Sequence, residues 1–295
     1  MPSEPSWELY RSYLSVLQEG SLSGAARALG LAQPTVGRHI EALEKSLGLD
    51  LFSRSQLGLL PTPAALELKP YAQAMGSSAA ALLRAAEGQG DVKGTVRISA
   101  SEVIGVEVLP PIVAQLQATH PELKIELALT NRVQDLLLRE ADIAVRMTPP
   151  NQDALLARRI GVVELGLHAH PRYLREHGTP EKPAELAKHA LIGFDAETPF
   201  LRAASKALPG WRRNAFAMRT DSDLAQLALI RAGAGIGVCQ VALARREPEL
   251  VRVLADDFAL PLETWVTMHE DLRHSARCKV TFDALLLGLQ RHASL

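Results

Sequence analysis

The first fifty residues repeat apolar positions with the period of a helix. In residues 7–19, apolar side chains spaced three and four apart run from Trp7 to Leu17, which predicts an amphipathic first helix. A short second helix follows, and Ser23 is expected to cap its N-terminus. A third helix is expected over about 34–47, with a buried stripe along one side. The pattern therefore predicts a compact group of three helices.

The next segment changes from extended to helical. The run "LDLFSRSQLGLLPTP" predicts two short extended pieces around Gly58. An Ala-rich helix is expected from about Pro63 to Glu87 and would be roughly 35 Å long at 1.5 Å per residue. Pro70 and Gly76 inside it could kink it. Its wide apolar face favours pairing with another helix.

From about residue 94 the pattern alternates between strands and helices. The run "EGQGDVKG" before it has the composition of a hinge. Strands are expected near 94–100, 123–130, 142–147, 159–169, 190–194, 213–219, 235–239 and 263–269. Helices are expected near 105–118, 131–139, 171–177, 222–233 and 276–291. Such alternation predicts parallel sheets covered by helices. About 200 residues with two hinge-like zones could form two sub-domains with a cleft between them.

Composition narrows the class of protein. Of the 295 residues, 47% are hydrophobic and 22% are charged, which is ordinary for a globular chain, and no apolar run is long enough to span a bilayer. The start "MPSEPSWELY" lacks a basic, apolar leader, so export is not expected. Cys239 and Cys278 have no metal-type spacing and fit a reducing cytoplasm. The net charge of −1 indicates no particular partner.

The segment "ARALGLAQPTVGRHIEALE" has the spacing of a helix-turn-helix. Ala26 is small where two helices would cross, Gly30 can adopt the left-handed backbone of a turn, and Val36 can anchor the second helix. The same spacing is compatible with a helical hairpin that binds nothing. Residues 1–90 hold seven Lys/Arg and eight Asp/Glu, so DNA contact would need local clustering of charge and several copies of the chain.

A family resemblance follows from a longer run. "LSVLQEGSLSGAARALGLAQPTVGRHIEALEKSLGLDLFSRS…LLPTPA" resembles the N-terminal region of LysR-type transcriptional regulators. The resemblance implies that four residues begin the helix that enters the major groove of promoter DNA: Gln33, Pro34, Thr35 and Arg38. It places Arg54 on the wing, against phosphate. Gln and Thr can bond base edges, and Arg can bind guanine or phosphate.

The chain departs from the family pattern at three places. Ala32 and Gly37 stand where the family usually has Ser, and the wing runs into "TPAAL" instead of Thr-Glu-Ala-Gly. Ala32 cannot cap the third helix, at a cost of about 0.5–2 kcal/mol. Gly37 inside the helix costs roughly 1 kcal/mol more. His39 is either a phosphate contact or a solvated surface residue.

The run "GTVRISASEVIGVEVLPPIVAQLQATHPELKIELAL" resembles the start of the family's effector-binding domain, which has a periplasmic-binding-protein-like fold. Three residues lie at predicted strand ends: Ser99, Ser101 and Thr130. In open α/β sheets, ligands bind beside the carboxyl ends of the strands. By resemblance Arg146 lies near the same cleft, where a guanidinium could clamp an anionic small-molecule effector. Thr220 enters a helix of the second sub-domain. Each of these residues could instead be a cap or a surface group.

The resemblance implies an α/β protein with an N-terminal winged helix-turn-helix and a linker helix, followed by two effector-binding α/β sub-domains. The expected ranges are 1–62 for the DNA-binding domain, 63–90 for the linker and 91–295 for the effector domain, with sub-domain I at about 91–161 and 268–295 and sub-domain II at about 162–267. The linker helix is expected to pair two chains, and the family's usual state is a homotetramer.

Other functions find weaker support. "GAGIG" at 233–237 follows a predicted helix and leads into a strand, the reverse of a dinucleotide loop. His168 and His170 share a strand face without an evident third metal ligand. A solute-binding protein would need an export signal, and an enzyme would need a catalytic constellation. We therefore expect a cytoplasmic regulator without cofactor, metal, membrane or enzymatic activity.

Overall fold

A computed structural model of the chain describes residues 4–55, 58–86, 92–131, 141–149, 155–197, 199–208 and 210–294. The chain divides into an N-terminal unit that extends to Leu83 and a C-terminal unit that begins at Arg84. No helix within the described ranges is both long and apolar enough to cross a bilayer.

The N-terminal unit contains three short helices, a two-stranded hairpin and a long helix. Gly20 and Gly30 lie on either side of the second helix and have φ values of 66° and 67°. A side chain with a Cβ would be strained in this conformation, so glycine allows the two tight turns. The elements are α1 (Trp7–Glu19), α2 (Leu22–Leu29), α3 (Gln33–Leu47), β1 (Phe52–Ser55), β2 (Gly58–Pro61) and α4 (Pro63–Ala86).

The cap of α2 differs from the sequence prediction, whereas the start of α3 lies close to it. The N-terminal cap of α2 is Ser21, whose Oγ accepts the Gly24 N–H at 3.1 Å, so the prediction of Ser23 was wrong. Helix α3 begins at Gln33, and Ala32 before it makes no side-chain cap. The first N–H groups of α3 therefore lack the partner that a Ser, Thr or Asp at this position would supply.

An apolar core holds the N-terminal unit together. It includes Val16, Val36, Leu43 and Leu51, all of which are buried. Tyr13 lies in the same core and donates its hydroxyl hydrogen to the Ala65 carbonyl, which joins α1 to α4. Burial raises the pKa of Tyr13 to about 12, so the hydroxyl stays protonated and keeps donating.

The C-terminal unit is built on a mixed seven-stranded sheet in the order β10-β6-β11-β5-β3-β4, with β9 also paired to β6. Strand β3 is parallel to β4 and β5, as expected, whereas β6 is antiparallel to β9, β10 and β11. The sequence prediction of parallel sheets was therefore only partly right. The strands are β3 (Gly94–Ala100), β4 (Leu123–Leu129), β5 (Ile143–Arg146), β6 (Leu155–Ala169), β7 (Leu191–Gly193), β8 (Phe216–Arg219), β9 (Gly237–Gln240), β10 (Val251–Val253) and β11 (Leu260–His269).

Helices cover this sheet, and some of them were not predicted. The helix expected near 105–118 starts with a π-helical turn, Ile104–Val108. The helix expected near 131–139 falls almost entirely outside the described residues. Helices α7 and α9 were missed. The helices are α5 (Leu109–Thr119), α6 (Pro171–His177), α7 (Pro199–Ala207), α8 (Asp223–Arg231), α9 (Val241–Ala244) and α10 (Ala276–Ala293), with 3-10 turns at Pro183–Lys188, Arg213–Ala215 and Glu270–His274.

Separate apolar cores define two lobes of the C-terminal unit. The first lobe packs β3, β5 and α5 against α10, around Ile98, Ile143 and Leu285. The second lobe packs around Leu167 and Phe258, with a neighbouring cluster on α8. Strands β6 and β11 contribute residues to both lobes, so the chain passes between the lobes along these two long antiparallel strands.

A buried ion pair lies where α4 ends. Arg84, the first residue of the C-terminal unit, donates from Nε to Asp142 Oδ2 at 2.9 Å, and both side chains are less than a tenth exposed. The same carboxylate accepts the Arg97 N–H at 2.8 Å, while Arg277 donates to the Arg84 carbonyl at 2.7 Å. Within the C-terminal unit, Arg84 is thereby bonded to Asp142, directly before β5, and to Arg277 on α10.

Candidate nucleic-acid interface and effector site

The start of α3 carries the residues predicted to contact DNA. Gln33 and Pro34 form its first turn and are exposed, and Thr35 is half-buried. Arg38 is exposed one turn further along, and its Nη2 donates to the Thr35 hydroxyl at 3.4 Å. Thr35 and Arg38 thus share one surface of α3, where a guanidinium and a hydroxyl can bond base edges or phosphates.

The predicted helix-turn-helix spacing is confirmed by the packing of α2 and α3. Ala26 is 5% exposed and Val36 is fully buried in the shared core. Gly30 has the left-handed backbone of the turn, and the Leu31 N–H closes the end of α2 by donating to the Ala26 carbonyl at 2.9 Å. The short turn and the close contact fix the direction of α3 relative to α2.

The hairpin that corresponds to the wing is tied to α3 by a carboxylate. Glu44 Oε1 accepts the N–H groups of Leu51 and Phe52 at 2.8 and 3.2 Å. Arg54 lies on β1 opposite Leu59, but its side chain is outside the described part of the structure. The position of its guanidinium therefore stays a prediction, although the strand that carries it is held against the end of α3.

His39 is hydrogen-bonded inside the N-terminal unit. Its Nδ1 lies 2.7 Å from the hydroxyl oxygen of Ser12, which is 1% exposed. The ring is half-buried, so it is not simply a solvated surface group. This bond links α3 to α1 and gives His39 a structural role beside Arg38.

Helix α4 exposes apolar side chains in the N-terminal unit. Tyr71, Leu82 and Leu83 are 71%, 68% and 65% exposed. An open depression of about 480 Å³ lies on the same unit, lined by Trp7, Ala74, Met75, Ser78 and Ala79. Exposed apolar patches of this kind are typical of surfaces that bind another protein chain.

In the C-terminal unit, two predicted effector residues are in direct contact. Arg146 ends β5, and its Nη2 donates to the Ser99 hydroxyl at 3.0 Å. Its Nη1 donates to the carbonyls of Ser99 and Val145 at 3.2 and 3.0 Å. Ser99 is fully buried on the neighbouring parallel strand β3. The guanidinium is therefore oriented by the strands that carry it.

Ser101 and Thr130 meet at the same edge of the sheet. Each directly follows one of the parallel strands β3 and β4, and the Thr130 N–H donates to the Ala100 carbonyl at 2.9 Å. In parallel strands the carboxyl ends lie together, which is why the sequence prediction brought these residues to one edge.

Thr220, the predicted effector residue of the second lobe, lies between β8 and α8. It follows β8, and its Oγ1 accepts the Ser222 N–H at 3.2 Å just before α8. Ser222 in turn donates to Glu102 Oε2 at 3.4 Å. Asn131 Nδ2 donates to Asp223 Oδ2 at 2.9 Å, so the Thr220 segment is linked to residues beside Ser101 and Thr130.

Glu102 and Asp223 were not selected from the sequence. An acidic residue near the start of a helix is common, and nothing in the local pattern distinguishes either one. Burial and the nearby charge of Glu102 raise the pKa of Asp223 to about 6. Only the fold reveals that these carboxylates lie close together.

The remaining candidate chemistry is structural. His168 is buried, and its Nδ1 lies 3.0 Å from the Gly166 carbonyl oxygen, while His170 caps α6. Cys239 and Cys278 are both buried and unlinked, and burial raises the pKa of the Cys239 thiol to about 12. Among the described residues, no group of three or more His, Cys, Asp or Glu side chains is arranged to hold a metal ion.

Solved structures of similar fold include two full-length regulators. The Vibrio cholerae virulence activator AphB, described as a member of the LTTR family, matches with a TM-score of 0.62 and 22% identity, covering 96% of this chain and 99% of that chain. CbnR complexed with its target DNA matches with a TM-score of 0.64 and 19% identity, covering 98% and 100%. At these identities the likeness shows the fold alone.

Relatives with similar sequences are also regulators by name. An HTH-type transcriptional regulator of Xanthomonas campestris pv. campestris (strain 8004) is 30% identical over 193 residues, 62% of this chain and 53% of that protein. CrgA of Neisseria meningitidis serogroup C (strain 8013) is 28% identical over 183 residues, 62% and 61% of the two chains. The matched part of the chain thus spans between half and two thirds of these relatives.

Two family models account for most of the chain. The model of bacterial regulatory helix-turn-helix proteins of the lysR family matches residues 7–66, and the model of the LysR substrate binding domain matches residues 89–289. The first match contains α1, α2, α3 and the hairpin, and the second contains both lobes. The chain belongs to the LysR family.

Proposed function

We propose that this chain is a DNA-binding transcriptional regulator whose binding to promoter DNA is modulated by a small-molecule effector. The observation that carries the proposal is the exposed start of α3, with Thr35 and Arg38 on one surface, in a helix-turn-helix whose core is complete. The regulator acts in the cytoplasm, where the bacterial chromosome lies. It needs no cofactor or metal and is not an enzyme.

Each DNA-contacting residue has a separate role in the proposal. Gln33 and Thr35 bond base edges in the major groove, and Arg38 binds guanine or phosphate. Pro34 starts the helix with a backbone angle that suits its first turn. Arg54 on the wing meets phosphate. Because the charge of residues 1–90 is nearly balanced, affinity comes from several copies binding together.

A gel-shift titration with the gene's own upstream DNA tests this function. Arg38→Ala is expected to weaken binding by about 1–3 kcal/mol, the usual cost of losing a base-reading arginine. Arg11→Ala is the matched control, since Arg11 is exposed on α1 and pairs only weakly with Glu8 at 3.8 Å. Equal affinity of both variants and the wild type would refute the proposed interface.

The proposed assembly is a homodimer through α4, and a homotetramer on DNA. The exposed apolar residues of α4 supply the pairing surface. A dimeric helix-turn-helix protein places its recognition helices about 34 Å apart, one turn of the duplex. Two dimers would then read a long promoter site.

The proposed domain boundaries follow the elements. Residues 1–62 form the DNA-binding domain, 63–90 the linker, and 91–295 the effector domain. Within the last, sub-domain I takes about 91–161 and 268–295, and sub-domain II about 162–267. The start of α4 at Pro63 and the passage of β6 and β11 between the lobes support these limits.

The proposed effector site lies where the two lobes meet. It is formed by five residues: Ser99, Ser101, Thr130, Arg146 and Thr220. The Arg146 guanidinium, held by Ser99, favours an effector with a carboxylate or similar anionic group. An effector that bridges the lobes would shift them and change DNA affinity through a coupling of about 1–3 kcal/mol.

A thermal-shift screen with small mono- and dicarboxylates tests the effector class. At least one compound is expected to raise the melting temperature of the wild type, and Ser101→Ala and Thr220→Val are expected to abolish that rise. Ser294→Ala, an exposed serine at the end of α10, should leave it intact. If no carboxylate binds, or if both site variants respond like the wild type, the proposed class and site are wrong.

A further inference from the structure

Helix α8 of the second lobe is bonded at both ends to one short segment of the first lobe. This segment, Glu102–Val108, includes the π-helical turn that follows β3. Glu102 meets the start of α8, Glu107 meets its end, and Val103 between them packs against the apolar cluster of α8. At the end of α8 a carboxylate is paired with an arginine, whereas at the start of α8 two acidic residues lie near each other.

At the end of α8, the negative charge of Glu107 is neutralised by nearby arginines. Arg231 donates to both oxygens of Glu107 at 2.8 and 2.9 Å and from Nε to Glu247 at 2.8 Å. Arg246 also donates to the Glu107 carbonyl at 3.1 Å. The hydrogen bond from Arg231 lowers the pKa of Glu107, so this clamp remains ionised over the physiological range of pH.

The attachment at the start of α8 brings two carboxylates together. Ser222 Oγ donates to Glu102, and Asn131 Nδ2 donates to Asp223 at 2.9 Å. The Asn131 amide also accepts the Glu102 N–H through Oδ1 at 3.1 Å. Asn131 therefore bridges the two acidic residues, one from each lobe.

Two groups from other elements act on the Asp223 carboxylate. The segment after β3 contributes the charge of Glu102, and the residue that follows the β4 end contributes the uncharged Asn131, which donates to Asp223. Asp221, nearby in sequence, is bonded to the N–H groups of the 195–196 turn instead. Within the described ranges, no cationic side chain is among the groups that shift the Asp223 pKa.

We propose that Asp223, Asn131 and Glu102 form a proton-controlled latch between the two lobes. When Asp223 is neutral, the latch holds the start of α8 against the first lobe. When Asp223 is ionised beside Glu102, the two charges repel and the start of α8 loosens, while the Arg231 clamp acts as the pivot. The latch lies among Ser101, Thr130 and Thr220, so its state changes the space around the proposed effector site.

The direction of the pH effect follows from burial and repulsion. Both raise the pKa of Asp223 to about 6 from its ordinary value of 3.8, so the folded protein holds this proton more tightly than the unfolded chain does. The proton on Asp223 therefore stabilises the folded protein fully below pH 3.8, and this stabilisation is lost as the pH rises through about 6. The latch is therefore closed in mild acid and open above neutrality.

Hydrogen–deuterium exchange of the full-length chain tests the latch directly. Exchange in the peptide covering α8 is compared at about pH 5 and about pH 7.5, after correction for intrinsic rates, on either side of the expected transition. The start of α8 should exchange severalfold faster at the higher pH in the wild type. In the Asp223→Asn variant, which keeps an acceptor for Asn131, the start of α8 should be equally protected from exchange at both pH values.

Two further variants complete the test. Glu102→Gln removes the repelling charge from the other lobe and should also keep α8 protected at the higher pH, so the result does not depend on one variant folding. Asp221→Asn is the matched control and should retain the wild-type pH response. The proposal is overturned if wild-type α8 exchanges equally at both pH values, if both latch variants keep the response, or if the control loses it.

The experiment is independent of the proposed function. It uses neither DNA nor an effector, so a pH-independent α8 would remove the latch and leave the regulator proposal standing. Conversely, a chain that fails to bind its upstream DNA could still show the latch.

Discussion

Gly37 is an interior helix residue whose missing side chain costs stability. A Cβ built there would meet only Leu22 Cδ1 at 3.8 Å, an ordinary contact distance. Because glycine is roughly 1 kcal/mol less favourable than alanine inside a helix, Gly37→Ala should stabilise the N-terminal unit by about that amount. Calorimetry of the full-length chain should show its melting transition at a higher temperature.

Gly30 provides the matched control for this substitution. It also has open space around its Cβ position, but its φ of 67° is the left-handed conformation. Gly30→Ala should therefore destabilise the same unit, by roughly 1–2 kcal/mol. A Gly37→Ala variant that is less stable than the wild type would contradict this account of α3. Equal changes in stability for Gly37→Ala and Gly30→Ala would contradict it as well.

Residues whose role depends on their neighbours in the sequence were predictable. Gly30 and Val36 were recognisable because a turn glycine and a buried helix position leave a short-range pattern. Ser21 was missed as a cap because Ser23 is chemically equivalent, and only the backbone shows where α2 begins. Asp223 was missed because its environment depends on Glu102 and Asn131, which the fold brings from distant parts of the chain.

At the scale of elements, the Arg84–Asp142 pair is a buried contact within the C-terminal unit. Replacing Asp142 with Ala would leave the Arg84 guanidinium buried without its carboxylate, which typically costs about 3–5 kcal/mol. Asp142→Ala should therefore lower the free energy of unfolding of the C-terminal unit by that order. Urea denaturation of the full-length chain measures it.

A double variant separates an unpaired charge from lost packing. In Arg84→Met/Asp142→Leu both charges are replaced by apolar groups of similar size, which is often close to neutral for buried pairs. We expect this variant to recover much of the loss. A double variant as unstable as Asp142→Ala would mean that the hydrogen bond from Arg97 to the carboxylate matters more than the ion pair.

Two buried histidines, on β6 and α10, make the C-terminal unit sensitive to acid. Burial lowers the pKa of His168 and of His292 to about 4, below the ordinary 6.5. The unfolded chain then binds these protons first, so stability is present above pH 6.5 and is lost as pH falls towards 4. This trend is opposite in sign to that of Asp223, which is why the latch is tested by local exchange.

The histidine effect can be isolated by substitution. In urea denaturation, His168→Asn should lose less stability than the wild type between about pH 7 and about pH 4.5, by up to roughly 3 kcal/mol. Asn keeps a donor for the Gly166 carbonyl while removing the titration. If variant and wild type lose the same stability over this range, His168 is not responsible.

Elements with a long periodic pattern were predictable, and short or context-dependent ones were not. Helices α1, α3 and α4 lie close to their predicted limits because their stripes extend over several turns. Helix α9 has only four residues and leaves no period to detect. The antiparallel pairing of β6 and β11 was missed because alternation of strands and helices says nothing about strand direction.

At the scale of the whole molecule, the exposed face of α4 predicts self-association. Leu82→Asp places a charge on this face and should shift the chain towards smaller species in sedimentation velocity, because burying an unpaired carboxylate is costly. Leu287→Asp, at a leucine that is 57% exposed on α10, is the control. Unchanged sedimentation of Leu82→Asp would exclude this face as the pairing surface.

The family and the order of the domains could be inferred from the sequence, since they rest on motifs within short stretches. The relation between the lobes could not, because it depends on contacts such as Arg231 with Glu107 between distant segments. Glu102 and Asp223, beside the proposed effector site, could not be predicted for the same reason, because distant segments bring them together.

DNase I footprinting on the upstream region of the gene tests the central claim most directly. The full-length wild type should protect a defined stretch with recognition sites about one duplex turn apart, roughly 34 Å. A Gln33→Ala/Thr35→Ala/Arg38→Ala variant should lose this protection, while Arg11→Ala retains it. Protection that survives the triple substitution, or no protection by the wild type, would contradict the account of α3 as the DNA-reading helix.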